Sequence, residues 1–349
     1  MNVLIIGGTG YMGRIAVQKM LERGDNVTVF SRGTSKPDWW TRVKHIAGDR
    51  NDHDAFRAKL KGKEFDAVID AQAYRKEDVE SAVTTFEGHV GRYLFISSGA
   101  VYLRGSLDFA THCPYKESDV DWSTIDYSYP PGQSEYGVGK RHGEKWLQEN
   151  SKVPYTVIRL PAVMGPDDTT GRMWWWVQRA LDSGGVIVPQ GDHASFRTQY
   201  SADAAETWLR AIDSPKAANQ IYHIASPEIL SPERWVQTIW RAAGLLPQGG
   251  TRHEGKITCV PRDLLEKHEH FRNYSPPLTR SVASIYDLSK AERDFGIKAT
   301  PLEEWIQLTV DWYRTQYHGN DSKGYEHRKE ELALAKTWRE KMAGLIAEM

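Results

Sequence analysis

From its second residue the chain reads Asn2-Val3-Leu4-Ile5-Ile6, apolar on both alternating sets of positions. It then breaks into Gly7, Gly8, Gly10 and Gly13 before apolar residues resume at Ile15, Val17, Met20 and Leu21. A short β-favouring run with no polar face predicts a strand buried on both sides. The helical spacing after the glycines predicts a helix, ended by Gly24. The same alternation recurs downstream. Strand-like runs at Val27–Phe30, Val43–Ala47, Ala67–Asp70, Tyr93–Ser97 and Tyr155–Leu160 are separated by helical patterns such as Val79–Phe86 and Gly137–Asn150. This order predicts an α/β fold, a Rossmann-type doubly wound parallel sheet with helices on both faces.

Past Pro161 the pattern loosens into prolines, aromatics and short elements, with strands returning at Gly185–Val188 and Gln220–Ile224. The expected division is a dinucleotide-binding domain over 1–165, a smaller substrate-binding lobe over 166–316 woven into it, and a helical extension over 317–349. In that extension Leu332, Ala335, Trp338, Met342, Leu345 and Met349 fall at helical spacing. Such a stripe is expected to pack on the body or on a second subunit.

Composition narrows the function. A length of 349 residues suits one large domain or two smaller ones. The net charge is −1 and no long basic run occurs, which argues against nucleic-acid binding by phosphate neutralisation. Cys113 and Cys259 form neither a disulfide framework nor a metal-ligand spacing. No metal is expected, and both cysteines are expected as reduced thiols of a cytoplasmic protein. No apolar run approaches a membrane span, and with a strand read from residue 2 no signal peptide is expected. Three consecutive tryptophans, Trp174 to Trp176, cannot all face one core. Core and rim packing is expected for them, with Trp175 a candidate to line a pocket.

The glycines carry the first candidate chemistry. Gly8, Gly10 and Gly13 match G-x-G-x-x-G, and Gly7 with Gly10 and Gly13 also gives G-x-x-G-x-x-G. On a strand-to-helix turn these glycines allow a tight turn, close approach of backbone to a pyrophosphate and close helix–strand packing. The amides of Gly7, Gly8, Thr9, Gly10, Tyr11, Met12 and Gly13 then face the phosphates at the helix start. In the NAD form of such a site an acidic residue closes the second strand and binds the ribose 2′-hydroxyl. Here the second strand ends in Ser31, Arg32 and Gly33, with no carboxylate. The planar fork of Arg32 suits a 2′-phosphate, with Lys36 as a second cation, so NADP is favoured and NAD is the alternative. Asp49 is placed to reach the adenine edge.

Tyr136 and Lys140 stand four apart, on one face of a predicted helix. A free tyrosine, with a pKa of ~10, is a poor base at neutral pH. A neighbouring ammonium and an oxidised nicotinamide both favour the phenolate, and the phenol can then exchange a proton with a substrate oxygen. A serine hydroxyl at the end of the strand "YLFISSGAVY" can hold that oxygen.

With these motifs the chain resembles the extended short-chain dehydrogenase/reductases, the NAD-dependent epimerase/dehydratase-like superfamily. The resemblance runs from Asn2 to about Tyr313 and includes "RLPAVMGP" and "YDLSKAERDFGIKATPLEEWI". It implies that Ser98 is the active-site serine, Tyr136 the acid/base, and Lys140 its partner, also holding the nicotinamide ribose. It places Asp70 and Ala71 beside the cofactor, with Pro161, Ala162 and Val163 near the nicotinamide. Ser98, Tyr102, Trp175 and Arg197 are the candidate substrate contacts. Three departures matter. Gly99 and Ala100 stand where sugar-nucleotide 4,6-dehydratases carry an Asp-Glu pair, so that elimination lacks its acid and base. Ala162 stands where sugar-nucleotide epimerases usually carry an asparagine that helps hold the diphosphate. Carbonyl reductases resemble "RLPAVMGP" better, whereas Arg197 lies within a residue of an arginine that epimerases use.

The leading expectation is an NADP-linked oxidoreductase moving hydride between nicotinamide and a carbonyl or secondary alcohol of a small molecule. A sugar-nucleotide epimerase with tightly bound cofactor is the first rival, and a non-catalytic cofactor-binding sensor or scaffold the second. The expected partners are a small-molecule substrate, no nucleic acid and no membrane. A homodimer is also expected, with Val79, Val83, Phe86, Trp146 and Leu147 supplying apolar contact.

Overall fold

In the computed structural model, residues 1–102, 113–182, 184–190, 195–246, 256–272, 274–279 and 284–349 are described. The strands are β1 Asn2–Ile6, β2 Asn26–Ser31, β3 Lys44–Ala47, β4 Phe65–Asp70, β5 Val90–Ser98, β6 Tyr155–Leu160, β7 Ala162–Met164, β8 Val186–Gln190, β9 Thr198–Tyr200, β10 Gln220–His223 and β11 Ile257–Pro261. The helices are α1 Tyr11–Glu22, α2 His53–Leu60, α3 Lys76–Thr85, α4 Glu135–Asn150, α5 Arg172–Leu181, α6 Ser201–Asp213, α7 Pro232–Ala242, α8 Arg262–Glu266, α9 Ser289–Phe295, α10 Leu302–Thr315 and α11 Arg328–Glu348.

A seven-stranded sheet in the order β10-β6-β5-β4-β1-β2-β3 carries the first unit, and its paired strands are parallel. Both faces are covered, which is why these strands read as unbroken apolar runs. Val3 and Ile5 enter a core with Ala67, Ile69, Leu94 and Ile96, closed by Val17 and Met20 of α1 and Trp208 of α6. Leu4 and Ile6 enter the opposite core with Val68, Tyr93 and Phe95, closed by Phe56 of α2, Val79 and Val83 of α3, and Leu147 of α4. The chain leaves β1 toward β2 and β3, then returns to β4 on the other side of β1. This is the topological switch point, where ligands bind beyond the carboxyl ends of the strands. The loops there are the glycine turn after β1 and the segment from Asp70 to Tyr74 after β4.

The first unit comprises 1–163, 198–227 and 286–299, and the second 164–197, 228–285 and 300–349. β9, α6, β10 and α9 thus belong to the first unit although they follow part of the second along the chain. Ala162–Met164 and Thr198–Tyr200 pair as a small separate sheet.

In the second unit β8 and β11 pair in parallel. Trp175 and Trp176 are buried, while Trp174 is half-buried with its ring stacked on Tyr313 at 5.3 Å. Helix α11 belongs to this unit. Its buried Glu331 accepts from Arg179 at 3.0 Å and from the Tyr274 hydroxyl at 2.8 Å, and Ala335 joins a cluster with Ile187, Val260, Leu265 and Phe271. Its last turns leave Leu345 and Ile346 exposed, as is Met349 just beyond them.

One expectation is corrected. Val79, Val83, Phe86 and Leu147 lie fully inside the first unit's own core, so they form no face for a second subunit. The apolar spacing of α3 and α4 records contact with the sheet. No helix among the described residues is long and apolar enough to cross a membrane.

Candidate active site

The glycine turn is tightly folded. Gly7 sits at φ +87, its carbonyl accepts from the Gly10 amide at 3.0 Å, and its own amide donates to Phe30 O at 3.2 Å. A Cβ on Gly13 would lie 2.2 Å from Gly7 O and 2.9 Å from Gly8 Cα, so the first turn of α1 rests directly on the loop. Gly10 is the N-cap of α1, and no side chain caps that helix. Backbone donors at a 12-residue helix start, with no Cβ in the way, make a cradle that fits a pyrophosphate. A residue missed in the sequence shapes this cradle from outside: the Gln72 side chain would meet a Cβ on Gly7 at 2.4 Å.

At the tip of β2, the Ser31 hydroxyl lies 3.2 Å from His45 Nε2 and accepts from the Gly33 amide at 3.3 Å. Arg32 is exposed at this tip, with neither hydrogen bond nor ion pair among the described residues. Asp49 is also exposed and accepts from the Asn51 amide and side chain at 2.9 and 3.0 Å.

Asp70 has a structural task. Its fully buried carboxylate accepts from Arg50 at 3.0 Å, from the Tyr93 hydroxyl at 3.0 Å and from the Gln72 amide at 3.0 Å. Arg50 also binds Ser81 and the carbonyl of Asp78, and Asp78 in turn holds His53 and the amides of Tyr74 and Arg75. A buried ion pair needs its remaining hydrogen-bonding capacity met, and here the Tyr93 hydroxyl of β5 and Ser81 and the Asp78 carbonyl of α3 meet most of it, leaving Arg50 Nε without a partner. The network fixes the loop after β4, with the Ala71 amide bound to Ile6 O at 3.1 Å.

The three expected catalytic residues all lie in the first unit. Lys140 is 2% exposed, and its ammonium donates to Ala73 O and Ile96 O, each at 2.6 Å. Ile96 is two residues before Ser98 on β5, and Tyr136 is one turn before Lys140 on α4. Lys140 Nζ lies 5.7 Å from the centre of the Tyr136 ring. Burial, its largest influence, pushes the Lys140 ammonium down to about 8, while Asp70, Asp78 and Glu144 act to raise it. Tyr136 is 44% exposed. Ser98 Oγ accepts from the Ala100 amide at 3.1 Å. Beside it, Gly99 has no room for a side chain: a Cβ there would lie 2.1 Å from the Tyr286 hydroxyl.

Tyr102 is committed to the interior. Its hydroxyl contacts Lys116 O at 2.7 Å, His223 Nε2 at 2.6 Å and Arg159 Nη1 at 2.7 Å, and its ring stacks on Tyr115 at 4.6 Å. Burial holds this phenol well above its ordinary value, with Arg159 opposing. Arg159 forks onto the fully buried Glu144 at 2.7 to 3.2 Å. Burial and then the Arg159 charge keep the His223 imidazole well below its ordinary value, so it is neutral. Glu144 and Arg159 escaped the sequence reading; the signal was the carboxylate four residues after Lys140 on the same helix.

Pro161 is half-buried and Val163 buried at the end of the first unit. Trp175 and Arg197 belong to the second. The Arg179 guanidinium lies 3.6 Å over the Trp175 ring, and the Arg197 amide donates to Ser284 O at 2.9 Å. No group of histidine, cysteine, aspartate or glutamate that could hold a metal occurs among the described residues.

The profile of the NAD dependent epimerase/dehydratase family matches residues 3–225. The chain belongs to that family. Its fold and motifs are those of a short-chain dehydrogenase/reductase-type enzyme with a nicotinamide cofactor. Among its relatives, the chloroplast stem-loop binding protein of 41 kDa b from Arabidopsis thaliana is 26% identical over 323 residues, 84% of this chain and 79% of that protein. A UDP-glucose 4-epimerase of Vibrio cholerae is 23% identical over 262 residues, 68% of this chain and 74% of that enzyme. The Bordetella bronchiseptica enzyme WbmH, solved in complex with NAD+, superposes with a TM-score of 0.66 at 20% identity, covering 90% of this chain and 99% of that one. For this family member the likeness to WbmH concerns the fold.

Proposed function

We propose that this family member is an NADP-linked oxidoreductase acting on a carbonyl or secondary alcohol of a small molecule. The observation that carries the reading is the placement of Lys140 against β5, between Tyr136 on its own helix and the strand end that bears Ser98. The glycine cradle would hold the dinucleotide phosphates, and exposed Arg32 at the tip of β2 would take the 2′-phosphate. The nicotinamide, when bound, supplies or accepts the hydride.

The chain's own residues manage the proton. Ser98 holds the reacting oxygen by a hydrogen bond. Tyr136 gives that oxygen a proton in reduction and takes one in oxidation. Lys140 favours the phenolate by its charge and offers the ribose its one N–H that no carbonyl takes. A homodimer in the cytoplasm is part of this reading, through a face other than Val79, Val83, Phe86 and Leu147; light scattering tests the assembly.

Replacing Tyr136 with Phe tests the chemistry. Against a panel of ketones and alcohols, the wild type should change absorbance at the reduced-nicotinamide band. Tyr136→Phe should bind cofactor normally yet lose ~10²–10⁴-fold in turnover. Wild-type turnover in that variant would overturn the mechanism.

A second reading has support from the Vibrio relative: a sugar-nucleotide epimerase, which recycles its cofactor with no net redox change. Conversion of UDP-sugars without consumption of NADPH would favour it. The stem-loop binding relative makes a mobility-shift assay with hairpin RNA the matching test of our expectation that no nucleic acid binds.

A further inference from the structure

Tyr74, in the loop after β4, has no part in the mechanism above, yet it lies against its centre. A Cβ on Gly139 would stand 2.2 Å from Tyr74 O, so this loop presses on α4 between Tyr136 and Lys140. The preceding residue, Ala73, accepts one of the Lys140 hydrogen bonds. The Tyr74 ring centre lies 4.9 Å from Lys140 Nζ and 6.0 Å from the Tyr136 ring centre. From the strand side Phe95 approaches the same ammonium at 4.9 Å.

A cation within about 6 Å of a ring centre is drawn to its π face, more strongly where water is excluded. Lys140 has no ion pair among the described residues. Asp70 at the end of β4, Asp78 on α3 and Glu144 on α4 act on it from further off, and Tyr136 faces it from its own helix. Its close surroundings are carbonyls and rings. Phe95 is core, required by the sheet. Tyr74 is 43% exposed, so no packing demand explains an aromatic ring there.

We propose that Tyr74 is a positioning residue for the acid–base pair: its ring, not its hydroxyl, keeps Lys140 charged and aimed beside Tyr136. The inference rests on the Tyr136–Lys140 chemistry proposed above. Leucine at position 74 keeps an apolar cover but removes the π face, whereas alanine would admit water and blur the effect. Phenylalanine keeps the face and drops the hydroxyl.

The test is an NMR pH titration of the Lys140 side chain in lysine-labelled protein, with the signal assigned through Lys140→Met. Tyr74→Leu should lower the midpoint by about one pH unit, and Tyr74→Phe should leave it in place. Once a substrate is found, Tyr74→Leu should also move the alkaline rise of the oxidative rate to higher pH. An unmoved midpoint in Tyr74→Leu overturns the inference, and so does an equal shift in Tyr74→Phe, which would assign the effect to the hydroxyl. If Tyr136→Phe is inactive while Tyr74→Leu leaves the midpoint unmoved, the Tyr74 role alone fails. If Tyr136→Phe retains turnover, the acid–base reading itself fails.

Discussion

Two glycines of the first turn are predicted to fail in different ways when a methyl group is added. At Gly13 the new Cβ would stand 2.2 Å from Gly7 O, against 3.4 Å for ordinary contact, a shortfall of 3.4 − 2.2 = 1.2 Å. The atoms it meets are all backbone of Gly7 and Gly8, so no side chain can swing away. Overpacking of this kind costs ~1–3 kcal/mol, and alanine's better helix propensity returns up to ~1 kcal/mol. The expected net loss is about 1–2 kcal/mol, or a fall in Tm of roughly 2–8 °C. At Gly10 the nearest atoms would be 3.4 and 3.8 Å away, and its φ of −77 suits any residue. Gly10→Ala should therefore melt within about 2 °C of wild type. If the turn cradles the dinucleotide as proposed, the methyl would obstruct it, and affinity should fall about tenfold or more, equivalent to ~1.4 kcal/mol. Thermal melts followed by fluorescence titration with NADPH and NADH separate the two effects. If Gly10→Ala binds both cofactors like wild type, the dinucleotide does not cross this turn. If Gly13→Ala melts like wild type, the turn yields more readily than its geometry implies.

Arg32→Asp should reverse the preference from NADPH to NADH, because a carboxylate repels the 2′-phosphate and accepts from the ribose hydroxyls; equal wild-type affinities would remove the basis of this claim. Glu144→Ala leaves Arg159 buried without its partner and should cost ~3–5 kcal/mol in denaturant unfolding, while Glu144→Gln, which keeps an acceptor, should cost less. A loss near zero in Glu144→Ala would mean that water or another group takes the carboxylate's place. His223 carries a pH signature. Its folded-state pKa lies well below the ordinary 6.5, so below that pH the unfolded chain binds a proton that the folded chain refuses. Stability should fall as pH drops below about 6.5, and His223→Asn should flatten that slope in melts between pH 5 and 7.

What the sequence disclosed is what local pattern encodes. β1, α1 and the glycine turn were legible because apolar periodicity and glycine spacing act over a few residues, and the Tyr136–Lys140 pair because helical spacing is local too. Long-range pairing was not legible. Nothing near Asp70 in the chain announces that Arg50 and Tyr93 will occupy its carboxylate and so help fix the loop after β4. Tyr102 went the same way, into the company of His223 and Arg159, which lie far along the chain. Val79, Val83 and Phe86 misled for a related reason: an apolar helix face looks alike whether it meets its own sheet or another molecule.

Gly99 and Tyr286 constrain how this enzyme can diverge. The hydroxyl of Tyr286 fills the volume that any side chain at position 99 requires. A dehydratase-type acid there would have to displace a ring already packed against Tyr102, Tyr115 and His223. Tyr286 must move or be replaced for such a side chain to fit, and either change disturbs the cluster. Two residues nearly two hundred positions apart are therefore sterically coupled, so a side chain at position 99 and the tyrosine at 286 exclude each other in this packing.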